Sequence, residues 1–127
     1  MSLLSWTVSI AIGAAGGALL RHGAYIYIER RNRSIFPIPS LFVNLLGSFL
    51  IGLFVSMSAS GAIDRFGLEL LVSGGCGSLT TFSSFSGDWI SLNRSGRKLL
   101  GLVYVALTLI FGLAFAAIGL AAGKMIP

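Results

Sequence analysis

The stretch "GGCGSLTTFSSFSGD", residues 74 to 88, concentrates groups able to meet a small solute. Ser78, Thr80, Thr81, Ser83 and Ser84 carry hydroxyls, and Phe82 and Phe85 stand three apart, roughly on one side of a helix. A benzene ring has a positive edge, so two rings turned edge-on support an anion without a fixed charge. Two other segments add neutral polar groups. Ser40, Asn44, Ser48 and Gly52 recur every four residues as a drifting stripe on the otherwise apolar "LFVNLLGSFLIG". Tyr104 and Thr108 are again four apart, and Gly112 continues their line without a hydroxyl. Neutral donors of this kind replace an anion's hydration and still let it leave, whereas a buried Lys or Arg tends to trap it. None of the acids Glu29, Asp64, Glu69 and Asp88 is expected near the middle of a span, so a proton-coupled cation exporter would lack its exchanging carboxylate. The residue types therefore point toward an anion.

Each of these features also has a structural reading. Asn44 could serve as interhelical glue worth about 0.6 to 2 kcal/mol. The glycines could serve close helix packing, and paired aromatics are usually core. Arg21 reads either as an interfacial snorkelling residue or as part of an electropositive vestibule that concentrates anions. His22 reads as interfacial, with no Ser or Asp partner in a catalytic pattern. Cys76 is the single cysteine, which excludes an intrachain disulfide, and its small size suits a glycine run. No Lys follows the glycines, so the stretch is not a phosphate cradle.

These groups must be held by membrane-spanning helices. The chain has 127 residues, 55% of them hydrophobic and 10% charged, with a mean hydropathy of +0.91; this is the composition of an integral membrane protein. About 20 apolar residues cross the hydrocarbon, so one small all-α domain over residues 1–127 holds four spans, expected at 3–28, 39–58, 66–92 and 98–122. The amino-terminal apolar run lacks a preceding basic stretch and is read as a mature helix rather than a signal peptide. In the third span, Gly74, Gly75 and Gly77 are poor helix formers and the neighbouring hydroxyls compete for backbone bonds, which predicts an interruption near 75–80. Unwound backbone survives in a bilayer only when buried in protein, where it can ring a cation or line a wet cavity. Four helices enclose little interior, so a solute path is expected between subunits of an oligomer.

The net charge of +5 reads as membrane topology rather than nucleic-acid binding. Arg30, Arg31, Arg33, Arg94, Arg97 and Lys98 fall on one side of the four-span arrangement, against Arg65 and Lys124 on the other. The positive-inside rule puts the six in the cytoplasm and both termini outside.

Nearly the whole chain resembles the Fluc (CrcB) fluoride channels of bacteria. "GAAGGALLRH" is similar to that family's first-helix signature, "PSLFVNLLGSF" to its Asn-bearing second helix, and "GGCGSLTTFSSFS" to its third-helix break. The resemblance implies a passive channel of the bacterial inner membrane that exports fluoride, built as an antiparallel, dual-topology dimer with two narrow pores and a central sodium ion. It further implies that Phe82 and Phe85 are the paired pore phenylalanines, with Asn44, Ser48, Thr81, Ser84, Tyr104 and Thr108 as pore groups and Arg21 as the first-helix arginine. The backbone carbonyls of Gly77 and Thr80, taken twice across a dyad, would hold the sodium. Ser84 stands where the family often has Thr, Asp88 where a longer Glu is frequent, and Gly112 lacks the hydroxyl that would extend the fourth-helix track. Six loop charges against two favour a single orientation, so besides a homodimer the resemblance leaves open a heterodimer with an oppositely oriented homologue. The rival readings are a small proton-coupled multidrug exporter and a structural membrane assembly protein.

Overall fold

Ser2 opens the first helix by accepting the Ser5 N–H at 3.2 Å, and from there the computed structural model, which describes residues 2–127, is all-helical among the described residues. α1 (Leu3–Arg31) ends with Arg30 and Arg31 in its last turn, where cations favour the helix dipole. Pro37 caps α2 (Ile38–Ala59) and Pro39 lies in its first turn, where a missing N–H costs nothing. A turn containing Gly61, at φ +80°, leads to the third segment.

That segment is composite. The Asp64 side chain caps α3 (Arg65–Leu68) by accepting the Gly67 N–H at 2.8 Å. A π-helical stretch, Glu69–Cys76, follows, then a single turn, α4 (Gly77–Leu79). Thr80 and Thr81 are extended, and α5 (Phe82–Arg94) resumes the path. α6 (Lys98–Lys124) closes the chain. The interruption expected near 75–80 therefore falls at the end of that range. The glycine run widens into a π-helix, and the true break falls at Thr80–Thr81.

The packing explains why the glycines stay helical. A side chain on Gly74 would meet the backbone of Ile10 and Ala14, and one on Gly13 would meet the backbone of Leu70 and Gly75. α1 and the π segment thus touch backbone to backbone, and the Ser78 hydroxyl donates to the Ala14 carbonyl at 2.8 Å. α2 and α6 pair in the same way through Gly52, which sits on the Ala116 carbonyl, and Gly119, which sits on that of Phe49. In lipid, helices gain little from hiding apolar area, so close van der Waals approach of small residues drives their association.

Little is left for a core. The buried apolar side chains are Val43, Cys76, Leu79, Leu92 and Tyr104, while large apolar residues such as Leu19, Leu113 and Leu99 lie on the surface. α1, α2 and α6 are each long and apolar enough to cross a membrane, making this a multi-pass membrane protein. The composite segment, 65–94, runs alongside them in place of a fourth continuous helix.

Candidate functional site

The break at Thr80–Thr81 frees the Thr81 N–H, and Asn44 takes it up while also reaching the Thr81 carbonyl. Its side-chain Oδ1 accepts the Thr81 N–H at 2.8 Å, and its Nδ2 donates to the Thr81 carbonyl at 3.3 Å. One carboxamide thus reproduces a backbone pairing across helices. Thr81, 6% exposed, then caps α5, its hydroxyl oxygen accepting the Ser84 N–H at 3.1 Å. In an unbroken helix, the Thr81 and Ser84 N–H groups would bond the carbonyls of Gly77 and Thr80. Here both are diverted, to Asn44 and to the Thr81 hydroxyl, which leaves the Gly77 and Thr80 carbonyls without their helical partners.

On one side of the break lies a cleft of about 340 Å³ walled by Asn44, Ser48, Thr80, Thr81, Phe82, Phe85 and Thr108. The Phe82 and Phe85 ring centroids are 5.9 Å apart, with planes inclined by 40°. Phe85 also lies 5.4 Å from the Tyr104 ring, which is wholly buried behind it. Phe82 is 80% exposed, so a single chain does not enclose it. The Ser48 hydroxyl donates to the Asn44 carbonyl at 2.8 Å, and that of Thr108 to the Tyr104 carbonyl at 2.8 Å. Both protons rest on carbonyls of the preceding turn and must rotate away to meet an anion.

On the other side, Arg21, Thr81, Ser83 and Ser84 line a concavity of about 430 Å³, together with His22, Tyr25 and Glu29. Ser84 belongs here rather than with the phenylalanines. Thr81 lines both hollows. The concavity faces the amino-terminal end of α5, whose dipole is positive there, and Arg21 adds a full positive charge.

The structure also brings together a network that the residue spacing does not reveal. The Ser40 hydroxyl donates to Asp88 Oδ2 at 2.5 Å and lies 2.6 Å from the Tyr25 hydroxyl. The Tyr104 hydroxyl donates to the same carboxylate oxygen at 3.4 Å. Asp88, expected at the margin of its span, is partly buried where α1, α2, α5 and α6 meet. Ser40 begins the polar stripe of α2 and Tyr104 that of α6, the two signals available before folding brought both to Asp88.

Residues 8–120 match the family model described as CrcB-like protein, Camphor Resistance (CrcB). The chain belongs to the CrcB family. Curated CrcB relatives include the fluoride-specific ion channel FluC of Thermus thermophilus, 39% identical over 110 residues that cover 87% of each chain. The protein so named in Ruminiclostridium cellulolyticum is 38% identical over 120 residues, 92% of this chain and 89% of its own. That of Pseudomonas putida is 38% identical over 123 residues, 94% of each. As the match spans α1 to α6, the CrcB assignment takes in the break, the cleft and the Arg21 concavity together.

Proposed function

We infer that this chain is a fluoride channel of the cell membrane, passing fluoride down its electrochemical gradient without a chemical step. The observation that carries the reading is its membership of a family whose relatives, similar over nearly their full length, are named fluoride-specific channels. The geometry is consistent with it. Fluoride is small and strongly hydrated, so a dry path must offer several short hydrogen bonds in place of water. Arg21 and the α5 terminus draw the ion in, Thr81 marks the passage between the hollows, and Ser48, Thr108 and the edges of Phe82 and Phe85 meet it in the cleft. Tyr104 supports Phe85 from behind and Asn44 fixes the break that shapes the path.

The exposed Phe82 and the freed carbonyls of Gly77 and Thr80 favour assembly with a second copy, which we propose lies in antiparallel orientation. One chain offers two such carbonyls, and a dyad doubles them to a four-oxygen ring suited to a hard cation such as sodium. Bound there, sodium would supply one positive charge at the centre of the dimer and would tie the two breaks together. A homodimer satisfies this arrangement, and a heterodimer with an oppositely oriented homologue is its alternative.

The test is efflux from liposomes holding the purified protein. Fluoride is expected to leave at least about a hundredfold faster than chloride, a difference of about 2.7 kcal/mol in barrier, with or without a proton gradient. Equal halide rates, or an obligatory proton exchange, would overturn the reading.

A further inference from the structure

A groove of about 790 Å³ runs between α1 and α2, larger than the cleft or the Arg21 concavity. Gly16, Leu50 and Leu79 lie at its inner end and Tyr27, Arg31 and Asn32 at its mouth. The walls between are apolar. Gly16 to Arg31 is an unbroken stretch of α1, about 22 Å long at the α-helical rise. One leaflet of a bilayer with its headgroups is about 20–22 Å deep, half of the full thickness. The groove is therefore one leaflet tall, greasy where acyl chains lie and cationic where phosphates lie.

Its mouth suits an anionic headgroup. The Arg31 guanidinium carbon lies over the Tyr27 ring, 4.6 Å from its centroid, and a guanidinium on an aromatic face can still make a two-pronged contact with phosphate through its edge. Arg30 and Arg33 flank it and raise the local positive potential. The groove is also not the face a second copy must cover to enclose the path. Cys76 and Leu79 point toward the side between α1 and α2, whereas Gly77 is exposed and Phe82 lies in the cleft beyond the break.

We propose that this groove holds one membrane phospholipid with an anionic headgroup, its phosphate on Arg31 and an acyl chain laid along Gly23 and Gly16. Both glycines line the groove, and a side chain built on either meets nothing within 4 Å, so the space is open to an occupant.

Native mass spectrometry of the full-length protein, titrated in detergent with phosphatidylglycerol or phosphatidylcholine, tests the proposal. Phosphatidylglycerol is expected to be retained in preference. Arg31→Gln should weaken its retention about fivefold, the factor for one interfacial cation, while leaving phosphatidylcholine unchanged. Gly23→Leu, which fills open space, should lower retention of both lipids. Excess inorganic phosphate should not displace the lipid, because it makes no use of the apolar walls. The proposal fails if the two lipids are retained alike, if Arg31→Gln has no effect, or if phosphate competes. It also fails if Gly23→Leu alters the oligomeric state with lipid retention unchanged, which would make the groove a protein interface. Lipid retention is read without reference to ion flux, so the outcome stands apart from the channel reading.

Discussion

Asn44 has a heavier structural duty than a pore donor would. Its amide is bonded on both sides to Thr81, so Asn44→Leu leaves the buried Thr81 N–H without a partner, at about 1–3 kcal/mol, and takes a second bond from the Thr81 carbonyl, which still caps α5. A clear loss of thermal stability in detergent is expected alongside loss of flux; if flux alone fell, Asn44 would be only a lining residue. Phe82 is the opposite case. With 80% of its surface exposed, it contributes little to the fold of one chain. Phe82→Ile should therefore leave the fold of each chain intact and, because Ile keeps an apolar side chain where the second copy packs, leave the dimer assembled, as size-exclusion profiles would show, while fluoride efflux falls about tenfold or more, equivalent to about 1.4 kcal/mol on the barrier. Loss of assembly in that variant would favour a packing role instead.

At the scale of elements, small residues divide into those that touch and those that do not. Gly13 lies against the backbone of the π segment, whereas a side chain on Gly16 would meet nothing within 4 Å. Gly13→Val forces two backbones apart and is expected to destabilise by about 1–3 kcal/mol, as overpacking does. Gly16→Ala should be neutral or stabilising by about 0.5–1 kcal/mol, the helical preference of Ala over Gly. Thermal unfolding of the two variants checks the contrast. The four-residue stripe and the glycine run were legible before folding, because helical spacing alone puts such residues on one face. The exact position of the break was not: backbone propensity weakens the helix at 74–77, but contact with α1 holds Gly74 and Gly75 in helical form, and Asn44 and the Thr81 cap stabilise extension at Thr80–Thr81.

For the whole molecule, the open question of chemistry is whether one polypeptide can complete the path. Six loop cations on one side against two on the other bias insertion toward one orientation, while the antiparallel dimer proposed above needs a second copy inserted the other way. Vesicles carrying this polypeptide alone should conduct fluoride if it inserts both ways. Silence that is relieved by a co-expressed, oppositely oriented homologue would establish the heterodimer. Replacing sodium by a large organic cation during purification should lower the thermal stability of the dimer, with unchanged unfolding counting against the central ion.

The sequence by itself determined the membrane as solvent, the approximate reach of each span, the polar stripes and the family motifs, since these follow from hydropathy, helical period and residue type along one chain. Only the tertiary structure decided what those groups do to one another. It spent Asn44 on the Thr81 backbone, moved Ser84 to the Arg21 side, joined Ser40 and Tyr104 to Asp88, and freed the carbonyls of Gly77 and Thr80. The reason is that hydrogen-bond partners in a bilayer must come from the protein, and which partner is within reach depends on helices brought together by packing, not on distance along the chain.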